Sequence, residues 1–303
     1  MSTFICFILV WFALQSGCMP DFGASASLLD SPRILAVRSE PAEVYPGESV
    51  RLMVYATDGG GMIALPPVEW AFCEVPKPPV ENNVISERCL SDAVRPIPGQ
   101  ELVVVASVPG DACTLFGPEL PPSASGQPAL RARDPDGTGG FYQPVRVRVL
   151  GLTAIGLVRI RCGLSGATPA VAARFRMEYL ANRNPFATTL AATLNQSMVS
   201  LAAIPVGRDV MLHLPLTAQA SESFMLFDAK DQSLGIAKER LSVSWFSSLG
   251  RFRLASTDAH EELEFRNEWL APQQPGSARI WTVLRDDRGG TTVLSHIIRV
   301  ESQ

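Results

Sequence analysis

The stretch Pro46-Gly-Glu-Ser-Val-Arg-Leu-Met-Val54 decides the fold, because its apolar residues alternate with polar ones at the spacing of a β-strand. The second half of the chain repeats this pattern in Val206-Gly-Arg-Asp-Val-Met-Leu-His-Leu214. Each stretch is followed by a strand that carries a tryptophan, Pro67-Val-Glu-Trp70 in the first half and Ser242-Val-Ser-Trp245 in the second. The sequence therefore predicts two copies of one β-fold.

Four cysteines lie beyond the N-terminal segment: Cys73, Cys89, Cys113 and Cys162. An even number in an exported protein points to two disulfides. The rival interpretation, a zinc site, lacks both Cys-x-x-Cys spacing and a nearby histidine. Strand periodicity places Cys73 on the opposite face of its strand from Trp70, and therefore away from the core. Three pairings are possible, and we favour Cys73–Cys89, which closes the loop between them, with Cys113–Cys162.

Strand periodicity also indicates which charged side chains face solvent. Apolar residues alternate with arginines along 158–162. Cys162 is therefore expected to face inward, and Arg159 and Arg161 outward.

The N-terminus has the features of an export signal. Its apolar run, Phe4–Leu14, has 11 residues, fewer than the roughly 20 that a membrane-spanning helix needs. The following Gln15-Ser-Gly-Cys18 resembles the lipobox of bacterial lipoproteins. The resemblance implies that Cys18 is diacylated and becomes the mature N-terminus. Ordinary cleavage, which leaves a soluble secreted protein, and an uncleaved anchor are the alternatives. Residues 19–31 are small and polar enough for a tether.

Composition places the rest of the chain among globular proteins. Of 303 residues, 47% are hydrophobic and 18% charged, with a net charge of −4. A chain of this length suits two domains. The acidic balance, without any basic run, argues against nucleic acid as a partner.

A short helix is predicted between the domains. Thr168-Pro169 supplies a cap and a first-turn proline, and Val171, Phe175 and Tyr179 share one face. We expect this face to pack on its own sandwich. The predicted organisation is a first domain at 32–165, a helical linker at 166–194 and a second domain at 195–303. In comparing the two copies, we align 140–144 with 267–272.

The order of these motifs, with Pro275-Gly276 and the turn Asp286-Asp-Arg-Gly-Gly290 near the end, resembles immunoglobulin-like and PKD-like modules of bacterial surface proteins. The resemblance covers 195–303, and 32–165 mainly at its start. It implies an all-β protein with two immunoglobulin-like β-sandwich domains that acts as a spacer or interaction surface. The whole chain also resembles cysteine-containing lipoproteins of the myxobacterial type.

Catalytic and metal-binding motifs are scarce. The three histidines, His213, His260 and His296, are scattered, and the chain has no Gly-x-Ser-x-Gly elbow, phosphate loop or dinucleotide fingerprint. We therefore predict that the protein is not an enzyme; a hydrolase would require a partner side chain near His260. Asp134 and Asp136 are weak calcium candidates.

The turn that contains these two aspartates is expected instead to hold them in an internal salt bridge with Arg131 and Arg133.

Two long loops, 74–100 and 108–141, each contain a cysteine. Long loops in compact domains are often functional, so they form either the interaction surface of the first domain or padding over sheet edges. The leading hypothesis is a lipid-anchored structural or protein-binding module of the cell envelope. By the sorting pattern of the lipoprotein family, Met19 after the lipidated cysteine implies the outer membrane. A calcium- or carbohydrate-dependent adhesin that uses the 131–142 loop is the alternative.

Overall fold

The computed structural model describes residues 26–58, 67–81, 85–120, 129, 131–259 and 264–302. The predicted signal peptide at 1–18 with its lipidation site Cys18, residues 19–25 of the predicted tether, and His260 lie outside these ranges. Among the described residues, no helix combines the length and apolar character needed to cross a bilayer.

The first domain packs a three-stranded sheet, ordered β1-β3-β6, against a five-stranded sheet, ordered β2-β8-β7-β4-β5. Its strands are β1 (Arg33–Glu40), β2 (Glu43–Val44), β3 (Ser49–Thr57), β4 (Glu69–Cys73), β5 (Val94–Ile97), β6 (Val103–Ser107), β7 (Gly140–Val149) and β8 (Leu152–Arg161). Its long connections contain a 3₁₀ turn, Glu87–Leu90, and a short helix, α1 (Ala112–Phe116).

The core of the first domain lies between these sheets. Leu52 and Val54 of β3 are buried there, as the alternation along 49–57 predicts, and they meet Trp70 and Val147 from the opposite sheet. Each fully buried aliphatic or aromatic side chain contributes about 1.5–3 kcal/mol. The alternating residues therefore hold the two sheets together.

The second domain also has two packed sheets, ordered β10-β9-β12-β18-β16 and β11-β20-β19-β15-β17, and a separate hairpin, β13-β14. Its strands are β9 (Ala191–Leu194), β10 (Ser197–Val199), β11 (Ile204–Pro205), β12 (Asp209–Pro215), β13 (Ser223–Asp228), β14 (Ser233–Lys238), β15 (Leu241–Ser247), β16 (Arg251–Phe252), β17 (Ser256–Ala259), β18 (Glu264–Leu270), β19 (Gly276–Asp286) and β20 (Thr291–Glu301).

Both domains use one strand topology, which confirms the predicted pair of immunoglobulin-like sandwiches. A short strand pairs in parallel with the last strand, β2 with β8 and β11 with β20. The tryptophan strand pairs with the penultimate strand, β4 with β7 and β15 with β19. The topology aligns β7 with β19, so our alignment of 140–144 with 267–272 is wrong. The segment 267–272 lies on and just after β18, which corresponds to β6.

The linker contains the predicted helix, α2 (Pro169–Glu178), whose cap residue Thr168 accepts a hydrogen bond from the backbone N–H of Val171. Phe175 of α2 and Tyr179, which directly follows the helix, are buried, but they pack with Met225 of the β13-β14 hairpin. The helix thus contacts the second domain and not only its own sandwich. Strand β9, within the range predicted as linker, pairs with β12 of the second domain.

The described end of the predicted tether is packed against the second domain. Ser27 and Leu29 are buried, and Ser247 hydrogen-bonds both of them through its backbone. Leu29 belongs to an apolar cluster that joins Ala36 of β1 to Trp281 of β19. The two domains therefore share an apolar contact in addition to the linker.

Candidate functional site

The two long loops of the first domain meet at a cavity of about 300 Å³. Its lining combines apolar and charged side chains, among them Val75, Lys77, Phe116, Asp134, Tyr142 and Leu157. Residues 74–100 and 108–141, which the sequence singled out, thus contribute to one concave surface together with β7 and β8.

Each loop is fastened by its own disulfide, in the pairing favoured from the sequence. Cys73 bonds Cys89 across 16 residues, and Cys113 bonds Cys162 across 49 residues. Cys73 lies outside the sandwich core, as its strand parity predicts, but only 1% of it is exposed because it is covered by the loop it closes. The loops are therefore held covalently on either side of the cavity.

Arg131 organises the second loop. Its guanidinium donates hydrogen bonds to the backbone carbonyls of Leu115 (2.9 Å), Ala132 (3.0 Å) and Glu119 (2.7 Å), and also to that of Gly117. Burial lowers the pKa of Arg131, while the nearby Asp134 opposes the shift. The salt bridge predicted between the arginines and aspartates of this turn is not seen among the described residues, where the Arg131 guanidinium instead donates to backbone carbonyls.

Asp134 and Asp136 adopt turn conformations that use their carboxylates locally. Asp134 accepts a hydrogen bond from the backbone N–H of Asp136 (3.0 Å), and Asp136 accepts one from Thr138 (2.5 Å). No group of three or more potential metal ligands occurs among the described residues. The two weak calcium candidates thus lie side by side on the loop, each with one carboxylate oxygen bonded to the backbone.

Tyr142 links the cavity to the junction between the domains. Its hydroxyl accepts a hydrogen bond from Arg159 at 3.2 Å. Burial raises the pKa of Tyr142, and the Arg159 charge partly offsets this. Arg159 was predicted to face solvent, yet only 1% of its side chain is exposed. It does point away from the sandwich core, but the linker and the second domain cover it.

Beyond Arg159 lies a buried ionic network centred on Glu43. The Glu43 carboxylate accepts hydrogen bonds from Arg159 (3.1 Å), the Tyr179 hydroxyl (2.5 Å) and the Asn182 backbone N–H (2.9 Å). Arg288 of the second domain approaches the same carboxylate at 3.6 Å. Glu43 comes from the first domain and Tyr179 and Asn182 from the linker, so one carboxylate joins three parts of the chain.

Arg288 extends the network into the second domain. It pairs with Glu239 at 3.2 Å and donates to the backbone carbonyl of Leu180 at 3.0 Å. Burial, together with repulsion from Asp286, raises the pKa of Glu239 to about 7. Burial also raises the pKa of Asp286, which backbone hydrogen bonds from Gly290 and Arg288 oppose. The predicted hairpin turn at 286–290 is present between β19 and β20, and it also carries the arginine that binds the first domain.

The described histidines lie apart from the cavity. His213 contacts Thr193 through Nε2 (2.9 Å) and Glu264 through Nδ1 (3.0 Å), on the outer face of β9, β12 and β18. Burial would raise the pKa of Glu264, but hydrogen bonding to Arg266 and the His213 charge lower it overall. This array ties three strands together beside a shallow cleft of about 460 Å³. His296 is half-buried, and burial lowers its pKa.

No protein-family model matches the chain, and no curated protein matches it. Among solved structures, the D00-D0 domain of intimin is similar, with 8% identity and a TM-score of 0.27 over 90% of this chain and 99% of that one. The Yersinia pseudotuberculosis adhesin InvE has 7% identity and a TM-score of 0.21 over 91% of this chain and 60% of that one. Invasin, a bacterial integrin-binding protein, has 10% identity and a TM-score of 0.22 over 90% and 40%. Scores of this size support no inference about activity or partner.

Proposed function

We propose that this chain is an exported, lipid-anchored module of the bacterial cell envelope, which binds a protein partner through the cavity between its two disulfide-bearing loops. The supporting observation is that both long loops, each fixed by its own disulfide, line one cavity. Fixing a loop in advance reduces the entropy that it loses on binding. The cavity is therefore a preorganised surface.

The composition of the cavity favours a short protein segment as its occupant. Its volume of about 300 Å³ is at the lower end of the range of ligand pockets, about 300–1,000 Å³. Val75, Phe116 and Leu157 can contact an apolar side chain, and Lys77 and Asp134 offer both charges at the rim. A segment with one apolar residue flanked by polar ones fits this lining.

Site-specific photocrosslinking tests partner binding. A benzophenone side chain at Lys77, in the full chain in envelope membranes, is expected to give one discrete protein adduct that the second substitution Leu157→Arg abolishes. The matched control places the probe at Arg253, an exposed position of the second domain. Identical adducts from both probe positions, or adducts that survive Leu157→Arg, would refute the cavity as the binding surface.

Intact-mass measurement tests the anchor separately. The protein extracted from membranes is expected to begin at Cys18 with a diacylglycerol or triacyl addition, and a Cys18→Ser variant to lack it. An unmodified chain in the culture fluid would instead make this a secreted module.

The proposal assigns no catalytic activity to the chain. The Thr193–His213–Glu264 array has the hydroxyl, imidazole and carboxylate order of an activated nucleophile. Thr193 is therefore the residue at which nucleophilic reactivity is tested. A fluorophosphonate probe is expected to leave Thr193 unmodified. Labelling of Thr193 that disappears in a His213→Ala variant would overturn this part of the proposal.

The effect of calcium on thermal stability distinguishes the calcium-dependent alternative from the protein-binding proposal. Calcium bound to the native loop at Asp134 and Asp136 would raise the melting temperature. The protein-binding proposal expects no change when calcium replaces a chelator.

A further inference from the structure

The outer edge of β6 has no neighbouring strand among the described residues. The sheet order β1-β3-β6 leaves β6 last, whereas β18, its counterpart in the second domain, is covered by β16. Arg251 and Phe252 of β16 pair there with Leu270 and Trp269. The repeated fold thus accommodates a strand at this edge, and the described part of the first domain does not supply one.

The backbone of β6 points hydrogen-bonding groups at this open edge. The Leu102 carbonyl accepts from the Val54 N–H, at the β3 side. Because the bonding direction alternates along a strand, the N–H and C=O groups of Val103, Val105 and Ser107 point away from β3. Within the described ranges no hydrogen bond reaches these outward groups. The edge therefore offers a short ladder of unused donors and acceptors.

The residues of β6 also lack the features that usually protect an edge. Val103 is 47% and Val105 65% exposed, and the strand Val-Val-Val-Ala-Ser has no charge and no proline. Natural edge strands commonly carry charged residues or proline, which prevent another strand from pairing with them. Edge strand β5 carries Arg95 and Pro96, and β17 carries Asp258. Strand β6 thus lacks the protection that these two edge strands carry.

We propose that β6 pairs antiparallel with β6 of a second copy of this chain, about a two-fold axis through Val105. In this register Val105 opposes its own copy and Val103 opposes Ser107, so every outward N–H and C=O of the three residues finds a partner. All three side chains are neutral, so no like charges face each other. Two-fold pairing consumes both open edges at once and closes the assembly.

Cysteine crosslinking tests this register in the full chain in membranes. Cα atoms of a hydrogen-bonded antiparallel pair lie about 5.5 Å apart, within the range that a disulfide spans. Val105→Cys is expected to give at least about tenfold more covalent dimer under mild oxidation than Val80→Cys, a control at a position that is 93% exposed. Val103→Cys and Ser107→Cys are expected to crosslink when the two variants are mixed, and not when each is alone.

A proline variant separates pairing from folding. Val105→Pro removes an outward N–H that the described chain does not use, and proline is tolerated at strand edges. We expect Val105→Pro to abolish the dimer, as measured by analytical ultracentrifugation. Its melting temperature should stay within about 2 °C of that of the unsubstituted protein. A dimer that persists in Val105→Pro would overturn the inference. So would a crosslinked species of Val105→Cys with the mass of a different protein, or yields equal to those of Val80→Cys.

Discussion

Substituting Glu43→Gln tests whether the buried network holds the two domains together. Glu43 and Arg159 each have 1% of the side chain exposed, and Arg288 has 2%. Removing the Glu43 charge leaves both arginines without the carboxylate that they share. Loss of one partner from a buried ion pair typically costs about 3–5 kcal/mol. We expect a loss of about 3 kcal/mol in the free energy of unfolding, because Gln retains an oxygen that can accept hydrogen bonds.

Urea denaturation followed by circular dichroism measures this loss, and calorimetry shows whether the two domains unfold in one transition or in two. Because Arg288 belongs to the second domain, the variant is also expected to separate the unfolding of the two domains into two transitions. The matched control is Glu268→Gln, which breaks an exposed pair with Arg253 and should cost no more than about 1 kcal/mol. Equal losses in the free energy of unfolding for the two variants, or a single unchanged transition in Glu43→Gln, would refute the conclusion that the network holds the two domains together.

Three further outcomes follow from the junction and the loops. Replacing both cysteines of Cys113–Cys162 by serine should cost about 4 kcal/mol in urea denaturation and the same change at Cys73–Cys89 about 3 kcal/mol, because the first closes the longer loop, 49 against 16 residues. Gly139→Ala should lower the melting temperature more than Gly47→Ala: both positions have positive φ, but only at Gly139 would a Cβ come within 2.5 Å of the aromatic ring of Phe175 in α2. The pKa of Glu239 is raised to about 7 from 4.5, so its contribution to stability is full below pH 4.5 and is lost as pH rises through 7. Glu239→Gln should therefore flatten the pH dependence measured by thermal unfolding between pH 5 and 8, where one proton changes stability by at most about 1.4 kcal/mol per pH unit.

Sequence periodicity predicted those features that depend on neighbours within one element. The alternation along 49–57 located the buried residues of β3, and Thr168-Pro169 located the start of α2. The same rule placed Arg159 correctly on the outer face of β8, but it could not show that another domain covers this face. Parity reports on which side of a sheet a residue lies, whereas burial depends on what packs there. The residues of the junction were missed for this reason.

Arg288 shows the same limit in a turn. A Gly-Gly pair after Asp-Asp-Arg predicts a hairpin, and the hairpin is present. Nothing in a turn pattern indicates that its central arginine enters a buried network with Glu43 and Glu239. To predict the network, one would have had to recognise Glu43, Glu239 and Arg288 together, although they lie far apart in the chain.

The packed N-terminal segment limits how far the second domain could lie from a lipid anchor. If Cys18 carries lipid, the eight residues to Ala26 span at most about 29 Å, even when fully extended. Ser27 and Leu29 are bonded to Ser247 of the second domain, so the Ser247 end of that domain must lie within this reach of the bilayer. The loop cavity belongs to the first domain, which the buried network fixes to the second. The junction therefore sets where the cavity lies relative to the anchored end of the second domain, and variants that weaken the junction should affect partner capture even though they leave the cavity lining unchanged.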